Sequence, residues 1–585
     1  MIGSRVSTLI LLGLVAGYCP CLVGTAAAQE GPPDVRFGAV EAFRDPVAAA
    51  EAGVGWERIL FYWSELQPAG PEDWNGYHVP DEWLDLAADE GRQVVGLVKH
   101  TPAWATDGPP GCGVPSHLDL PVDDSGNLWA ALVRRLVQIY AGRVDRWVIW
   151  NEPDIEPNAF GSEWCGSMEE YYRLLKVAYL AAHQANPDVK IHLAGATTWH
   201  NPAYFRDFLD VAVQDPEASE HGYFFDVISL HIYFRTETIP EILRATQATQ
   251  AARGLEKPIW INETNAPSNL DTPYWELPDA NFDISLEEQA SFLLQSFALS
   301  LSSGAERVAV YKWVDGEPQP GVEPFGVMRA DYSRRPAYDA YRLITENYAG
   351  AVSAREDRHP LHTVVTLDRG DLVTRVIWAR TEAGAVVSLS ALAPQALLTD
   401  QTGGEQQLEA VDGQYAISLP GARCADRRGC IVGGPTYMLV EETSGASLPT
   451  ATTVPVPLET PVVTPTIATA TAMATPEPSS PSPTPTLVPT GTPTPTATPS
   501  FTPSATATPT RLPTPTPTPS STPTSRPSAS PPPSATPAPP SPVPTAMPAL
   551  ALPLNISARS VGFAVLSLVA SVAIVGVWLR RVGSQ

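Results

Sequence analysis

Two glutamic acids end apolar segments of this chain, at positions where a charged side chain is costly to bury. Glu152 lies in "DRWVIWNEPD", after a run of apolar and aromatic residues, and Glu263 lies in "PIWINETN". A carboxylate at the end of a core strand is expensive to desolvate unless the protein uses it. Two such acids support general acid–base or nucleophilic chemistry, in which one donates a proton while the other attacks or activates water.

Short apolar segments alternate with amphipathic helical patterns from about residue 34 to residue 348. Eight of the apolar segments are predicted strands, at residues 35–39, 56–61, 94–98, 147–150, 191–195, 227–231, 259–262 and 308–313. Eight β–α alternations over a region of this size predict a (β/α)8 TIM barrel of the α/β class at residues 29–348. A doubly wound sheet is the alternative, but no glycine-rich phosphate-binding motif follows the first strand.

The barrel would place both acids at one face, because functional side chains lie at the carboxyl ends of barrel strands. Asn151-Glu152-Pro153 closes the predicted fourth strand and Glu263 ends the seventh, on the opposite side of the barrel. Glycoside hydrolysis requires such a pair, with the carboxyl groups about 5–5.5 Å apart in retaining enzymes and about 6.5–9.5 Å apart in inverting ones. We expect the shorter spacing, and we expect the charge of Glu263 to raise the pKa of Glu152.

The two motifs resemble those of a large clan of retaining glycoside hydrolases with (β/α)8 barrels, which includes β-xylosidases, cellulases and mannanases. The likeness covers about residues 34 to 442 and is closest to the β-xylosidase-like families that carry a C-terminal β-sandwich. The "WNEP" sequence is similar to the clan's acid/base motif. The resemblance therefore implies that Glu152 is the acid/base and Glu263 the nucleophile.

The same resemblance implies roles for five further side chains. Asn151 would hydrogen-bond the 2-hydroxyl of the sugar, and Arg58 on the second strand would support the nucleophile. His231 and Tyr233 in "SLHIYF" are similar to the clan's sixth-strand pair, with the tyrosine beside the nucleophile. Trp313 in "VYKWVDG" is similar to the eighth-strand tryptophan that forms the floor of the sugar subsite.

Trp63, Trp104 and Trp199 follow the second, third and fifth predicted strands. Aromatic faces suit the C–H side of a pyranose ring, but core packing explains each tryptophan equally well, and we retain only Trp104 as a candidate substrate-binding residue. The chemistry requires no metal and no organic cofactor. An exo-acting xylosidase-like activity and an endo-acting glucanase or mannanase activity both stay open. A non-catalytic carbohydrate-binding or adhesive protein on a barrel scaffold is the alternative from another class.

A second region, at residues 349–445, changes to a period of two. Segments of alternating pattern lie at residues 362–368, 372–380, 385–392, 414–419 and 435–441, with turn residues between them. This pattern predicts a small β-sandwich packed on the barrel.

Cysteine usage and the N-terminus indicate an exported chain. Residues 1–28 have the pattern of a signal peptide, with an apolar segment and a small-residue cleavage site. Cys112 and Cys165 follow the neighbouring third and fourth strands, so we expect a disulfide between them, while Cys424 and Cys430 are close enough in sequence to close a hairpin. Free buried thiols are the alternative, and no cysteine spacing resembles a zinc site.

The C-terminal part differs in composition from the rest of the chain. Residues 446–556 consist mainly of Thr, Pro, Ser and Ala, so we expect a disordered linker biased to the polyproline II conformation. Residues 557–581 contain an uncharged apolar stretch followed by Arg580 and Arg581, which predicts one transmembrane helix. A GPI signal is the alternative, and the terminal arginines argue against it. These patterns predict a protein anchored on the extracellular face of the membrane.

The charge balance argues against nucleic acid as a partner. The chain has 37 Lys and Arg against 63 Asp and Glu, a formal net charge of -26, and no basic stripe alternates with aromatic residues. The expected partners are an oligosaccharide or polysaccharide substrate and the membrane, and the oligomeric state stays open.

Overall fold

Eight parallel strands form the barrel that the sequence pattern predicts. They are β1 (Phe37–Val40), β2 (Trp56–Tyr62), β3 (Gln93–Lys99), β4 (Arg146–Ile149), β5 (Lys190–His192), β6 (Ile228–His231), β7 (Ile259–Thr264) and β8 (Arg307–Val310). Each neighbouring pair is in parallel register, including β8 with β1. Between β5 and β6 the sheet is closed by backbone hydrogen bonds, such as Leu193 N–H to the Val227 carbonyl at 2.9 Å.

The computed structural model describes residues 31–157, 159, 161–233, 235–274, 283–318, 324–424 and 430–443. The predicted signal peptide, the predicted linker and the predicted transmembrane helix all lie outside these residues. Within the described ranges, no helix has the length and apolar character needed to cross a membrane.

Helices follow the strands and cover the outside of the barrel. The α-helices of the described residues are α1 (Pro46–Glu51), α2 (Trp63–Leu66), α3 (Asp81–Asp89), α4 (Leu128–Ile139), α5 (Met168–Ala185), α6 (Tyr204–Ala212), α7 (Ile239–Ala251), α8 (Leu286–Ser302) and α9 (Pro336–Tyr348). Helices α5 and α8 begin with reciprocal capping boxes, formed by Ser167 with Glu170 and by Ser285 with Glu288. Such boxes satisfy N–H groups that have no partner within the helix and so determine where each helix begins.

The second region contains two antiparallel sheets, in agreement with the predicted β-sandwich. A six-stranded sheet contains β9 (Ser353–Arg358), β10 (His362–Asp368), β11 (Leu372–Ala379), β13 (Gln395–Asp400), β14 (Glu405–Glu409) and β16 (Tyr437–Glu442), and β12 (Ala385–Ser390) pairs with β15 (Gln414–Leu419). Val364 packs in the core between the two sheets, whereas its neighbour Val365 packs in the core shared with the barrel. The period-two pattern of β10 therefore reflects two buried faces.

Helix α8 is the contact between the barrel and this β domain. Every residue from Gln289 to Ser300 is buried, because one side of the helix packs on the barrel and the other on the six-stranded sheet. Gln295 donates to the Gly434 carbonyl at 3.1 Å and accepts from the Gly433 N–H at 3.0 Å. The side chain of Gln295 is thus satisfied by the β domain, which keeps it from being buried without partners.

Candidate active site

Glu152 and Glu263 lie together at the carboxyl-terminal end of the barrel. Glu152 follows the end of β4, and Glu263 lies near the end of β7. A carboxylate oxygen from each acid and a ring nitrogen of His231 all lie within 4.8 Å of one another. The barrel topology brings the acids together because the carboxyl ends of parallel strands open at one face.

Glu263 is buried, and both of its carboxylate oxygens accept hydrogen bonds. Arg58 on β2 donates a guanidinium N–H to Oε1, and the Tyr233 hydroxyl donates to Oε2. Burial acts to raise the pKa of Glu263, but the charge of Arg58, together with His231 and the Tyr233 hydrogen bond, holds that pKa below its ordinary value. At neutral pH Glu263 is therefore ionised, which is the state that a nucleophile requires.

Glu152 has different neighbours, and its pKa is shifted in the opposite direction. Its Oε1 lies 2.7 Å from Nδ1 of His231. Burial raises the pKa of Glu152 to about 6, although the hydrogen bond to His231 acts in the opposite direction. The charge of Glu263 also raises this pKa, but by less than burial does. The direction agrees with the expectation from the sequence, whereas the main cause is desolvation.

The backbone around Glu152 has an uncommon conformation that its neighbours hold in place. Trp150 and Glu152 have φ of 73° and 44°, in the left-handed region. Such a conformation costs a non-glycine residue about 1–3 kcal/mol. The Trp150 N–H donates to the Val98 carbonyl at 3.0 Å, and the Glu152 N–H donates to the Gly195 carbonyl at 3.1 Å. The segment that carries the acid is thus hydrogen-bonded to β3 on one side and to the residues after β5 on the other.

Asn151, Arg58, His231 and Tyr233 all lie in the polar cluster around the acid pair or directly beside it. Nη1 of Arg58 is 3.4 Å from Nε2 of His231, so Arg58 contacts both Glu263 and the histidine. Asn151 is buried, and its Oδ1 has no hydrogen-bond partner among the described residues. A buried amide oxygen without a partner is costly, so Asn151 is available to a ligand hydroxyl.

Trp313 does not lie at the sugar subsite, which corrects the expectation from the sequence. Its side chain is fully buried, and its indole N–H donates to the Asp45 carbonyl at 3.2 Å. Its ring packs on Tyr338 and Tyr341 of α9, with ring centroids 5.6 Å apart in both cases. Trp313 is therefore a core residue between the barrel and α9, with no face left for a sugar.

Tyr311 is the aromatic residue that the sequence analysis missed at the end of β8. It immediately follows β8, keeps part of its surface exposed and lies 5.9 Å, edge to face, from the ring of Tyr233. Burial and the nearby charge of Glu263 hold its pKa well above its ordinary value, and the charge of Glu152 contributes. The signal was its position as the first residue after a barrel strand, which is where functional side chains concentrate.

Trp104 is partly exposed, but it is hydrogen-bonded to the loop that follows α2. Its indole N–H donates to the Gln67 carbonyl at 2.7 Å, and its ring meets Trp63 edge to face at 5.7 Å. Trp63 itself is fully buried. A substrate contact by Trp104 stays a prediction.

A second pair that the sequence analysis missed is the ion pair of Lys99 and Glu163. Lys99 Nζ at the end of β3 lies 2.5 Å from Glu163 Oε2 and 5.5 Å from the ring centroid of Tyr62. The Glu163 carbonyl accepts the indole N–H of Trp150 at 2.8 Å. The charge of Glu163 adds to the increase in the pKa of Glu152. The pair thus belongs to the wall of the same site.

The spacing of Glu152, His231 and Glu263 would also suit a metal ion. However, the guanidinium of Arg58 already contacts Glu263 Oε1 and lies 3.4 Å from His231 Nε2. A second cation beside this guanidinium would be repelled, whereas one ionised and one protonated carboxyl group are stable here. The arrangement favours two carboxyl groups in different protonation states over a metal centre.

The disulfide that the sequence predicts between Cys112 and Cys165 is present. Cys112 and Cys165 are bonded, with their Cα atoms 5.1 Å apart, and they join the loops after β3 and β4. Cys424 and Cys430 are also bonded, in the β domain.

Comparisons with known proteins find relatives with this fold. No protein-family model matches the chain. A β-xylosidase of Caldicellulosiruptor saccharolyticus is 23% identical over 257 residues, which are 41% of this chain and 49% of the relative, so the match spans about half the length of that curated protein. A family 39 glycoside hydrolase from Bacteroides cellulosilyticus WH2 superposes with a TM-score of 0.54 and 18% identity over 70% of this chain and 81% of the other.

A monomeric β-xylosidase from Caulobacter crescentus CB15 aligns over 70% of this chain and 97% of its own, with a TM-score of 0.47 and 15% identity. The predicted resemblance to glycoside hydrolases is confirmed by the β-xylosidase of Caldicellulosiruptor saccharolyticus, and the family 39 structure shows that the fold is shared.

Proposed function

We propose that this chain is an extracellular, membrane-tethered retaining glycoside hydrolase that acts by double displacement. The observation that carries the proposal is the acid pair, in which one carboxylate oxygen of Glu152 lies within 4.8 Å of one of Glu263. This spacing suits direct attack by one acid and leaves no room for the water that an inverting enzyme places between its acids. The opposite shifts of the two pKa values supply one proton donor and one charged nucleophile.

In the first step, the ionised carboxylate of Glu263 attacks the anomeric carbon, while Glu152 donates its proton to the leaving oxygen. The glycosidic bond breaks, the aglycone leaves as an alcohol and an ester forms between Glu263 and the sugar. Arg58 and Tyr233 keep the carboxylate in place through their hydrogen bonds. The Asn151 amide would bind the 2-hydroxyl of the sugar, a contact that strengthens in the transition state.

In the second step, Glu152 acts as a base. Its carboxylate removes a proton from water, the resulting nucleophile attacks the anomeric carbon and Glu263 leaves as a free carboxylate. While the ester exists, Glu263 carries no charge, so one of the influences that raise the pKa of Glu152 is absent. The loss of that charge favours the ionised form of Glu152 when the mechanism requires it.

The substrates we propose are O-glycosides of plant- or microbe-type oligosaccharides or polysaccharides, cleaved by a β-xylosidase-like or an endo-β-glycanase activity. The curated relative is named as a β-xylosidase, which supports the first of these. Export and tethering rest on the sequence patterns at residues 1–28 and 557–581. A barrel on a long linker outside the cell would reach polymers that cannot enter it.

The experiment that tests this proposal combines a substrate panel with three variants of the full chain. We expect hydrolysis of aryl β-xylosides or of a β-glycan, with the first-formed anomer retained when the product is followed by proton NMR. Glu263→Ala should abolish turnover, because no covalent intermediate can form. Glu152→Ala should still cleave substrates with good leaving groups, which need little protonation, and azide should partly restore its turnover.

The exposed Glu82 on α3 provides a matched control, since Glu82→Ala removes a carboxylate outside the site. This variant should retain the rate of the original protein. An inverted product, or near-normal rates in Glu263→Ala, would overturn the mechanism. Sugar binding without hydrolysis of any substrate would favour the non-catalytic alternative.

A further inference from the structure

Gly195, which lies beyond the end of β5, contacts both the acid/base glutamate and the histidine beside it. Its carbonyl accepts the backbone N–H of Glu152 at 3.1 Å. Its α-carbon faces the imidazole of His231, so closely that an added Cβ would overlap Nε2 and Cδ2 and lie 2.7 Å from Cε1. Gly195 has no positive φ, so another residue would be compatible with its backbone conformation. The nearest atoms that an added Cβ would meet all belong to the histidine ring.

The contacts of His231 determine which ring nitrogen carries the proton. Arg58 Nη1 lies 3.4 Å from Nε2, and a guanidinium can only donate, so Nε2 acts as an acceptor. In its neutral form the ring then carries its proton on Nδ1, which lies 2.7 Å from Glu152 Oε1 and 3.4 Å from Glu263 Oε2. His231 therefore donates to the acid/base carboxyl group while accepting from the arginine that binds the nucleophile.

We propose that Gly195 is a positioning residue for the acid/base, because it leaves the space in which His231 donates its Nδ1 proton to Glu152. The inference rests on the proposed function and adds to it a residue that does not touch the substrate. Gly195 acts on Glu152 at two points. Its carbonyl binds the backbone N–H of Glu152, and the space it leaves allows His231 to bind the carboxyl group. The pair of contacts explains why the chain has no side chain at this point.

The consequence of adding a methyl group follows from the packing. His231 is fully buried, so its ring cannot move away without displacing other core atoms. Gly195→Ala should displace the His231 ring, so that its Nδ1 no longer contacts Oε1 of Glu152. Four other titratable groups interact with Glu152: Glu263 on β7, Glu163 in the loop after β4, Tyr233 after β6 and Tyr311 after β8. The two glutamates disfavour its ionised form. Loss of the His231 hydrogen bond should therefore keep Glu152 protonated to higher pH.

The test is the pH dependence of kcat/KM for an aryl glycoside. In Gly195→Ala the alkaline limb should move up by about one pH unit, the size expected when a hydrogen bond to the charged form is lost. The second chemical step should slow by about tenfold, because a smaller fraction of Glu152 is ionised and able to accept a proton at a given pH. A merely structural role would lower the profile without moving its midpoint, so an unmoved midpoint in the folded variant overturns the proposal.

Two other glycines of the chain provide matched controls. Gly76 has open space around it, so Gly76→Ala adds the same methyl group without a contact. A Cβ at Gly96 would overlap the ring of Trp147 in the core, so Gly96→Ala imposes a similar clash away from the acids. Both variants should leave the midpoint of the alkaline limb unchanged, whatever Gly96→Ala does to stability. A shift of similar size in Gly96→Ala would contradict the proposal.

A double-mutant cycle tests whether Gly195 acts through His231. His231→Ala alone should move the alkaline limb upward, and adding Gly195→Ala should cause little further shift, because the ring that the methyl group would displace is gone. Shifts that simply add would overturn the proposal.

Imidazole ¹⁵N NMR of the original protein supplies a measurement that does not depend on activity. The proton of His231 should be found on Nδ1, and a proton on Nε2 would contradict the proposal even if no variant folded. If the chain hydrolysed no glycoside, the proposed function would fail, while this spectrum would still decide the hydrogen-bond arrangement.

Discussion

Glu152 and Glu263 are the same amino acid, and their surroundings give them opposite tasks. Arg58 and Tyr233 bind the carboxylate of Glu263 and hold its pKa low, while burial raises that of Glu152 to about 6. Catalytic pairs are recognised by this divergence, since a donor and a nucleophile cannot share one protonation state. The difference between the two pKa values can be measured from the pH dependence of the reaction.

The pH profile should be bell-shaped, with its alkaline limb near the pKa of about 6 of Glu152. Since this pKa is raised, the proton that Glu152 donates is present below that pH and is lost as the pH rises through it. Since the pKa of Glu263 is lowered, its charge is lost only as the pH falls through that lowered value. We expect kcat/KM of the free enzyme to report both limbs. A profile that stays level up to about pH 8 would contradict this assignment.

Tyr311 and Trp313 should respond differently to truncation. Tyr311→Ala should lower kcat/KM by about tenfold, equivalent to ~1.4 kcal/mol, with little change in the melting temperature, because Tyr311 is partly exposed beside the acids. Trp313→Ala should cost about 3–5 kcal/mol of the free energy of unfolding, because Trp313 is fully buried. Steady-state kinetics and thermal unfolding of the two variants check this. A large loss of kcat/KM with little loss of stability in Trp313→Ala would instead indicate that Trp313 contacts the sugar.

At the scale of elements, the loops after β3 and β4 are tied together beside the acids. The Cys112–Cys165 disulfide joins them, and the Cys165 N–H also donates to the Cys112 carbonyl at 2.9 Å. Glu163 lies two residues before this link and pairs with Lys99. The bond therefore restrains a charged group of the site wall as well as two loops.

Removal of this disulfide should destabilise the protein by about 4 kcal/mol, because it closes a loop with a sequence separation of 53 residues. The control is the Cys424–Cys430 bond, with a separation of 6 residues, whose removal should cost about 2 kcal/mol. Urea unfolding of the two double Cys→Ser variants gives both values. An equal or larger cost for the shorter loop would show that loop closure does not dominate.

At the scale of the whole molecule, the barrel and the β domain are described parts of one compact unit. Helix α8 has no exposed face between Gln289 and Ser300, because the six-stranded sheet covers the side that the barrel leaves open. Burying a face of this size contributes stability in proportion to the apolar area removed from water. The β domain should therefore be required for folding, in contrast to the linker.

A chain shortened to end at Gly445 should remain soluble and retain full activity on small substrates. Thr443, which bonds to Gly370 and Asp371, would still be present. A chain ending at Gly350 should aggregate or unfold, because α8 would expose its apolar face. Size-exclusion chromatography and kcat/KM for an aryl glycoside check both chains. Loss of folding at Gly445 that the Thr/Pro-rich segment restored would contradict the linker interpretation.

Strand order and the position of the acid pair could be read from the sequence, because both depend on local pattern and on one topological rule. Apolar segments at regular intervals predict the barrel, and the carboxyl ends of its strands must share a face. Glu152, Glu263 and the two cysteines of neighbouring loops follow from that rule. Strands β9, β13 and β14 were missed. Strands β9 and β14 are polar edge strands, which pair through the backbone and need no buried face, and the apolar residues of β13 are limited to Ala396, Leu397 and Leu398.

Only the tertiary structure decided which aromatic residue reaches the site and how the acids are protonated. Tyr311 and Trp313 lie beyond the end of β8, where strand alternation no longer dictates side-chain direction, and α9 takes Trp313 into the core. The pKa of Glu152 depends mainly on burial, a property of atoms from distant parts of the chain. The role of Gly195 is invisible in the sequence for the same reason, since the ring that requires its missing side chain belongs to β6.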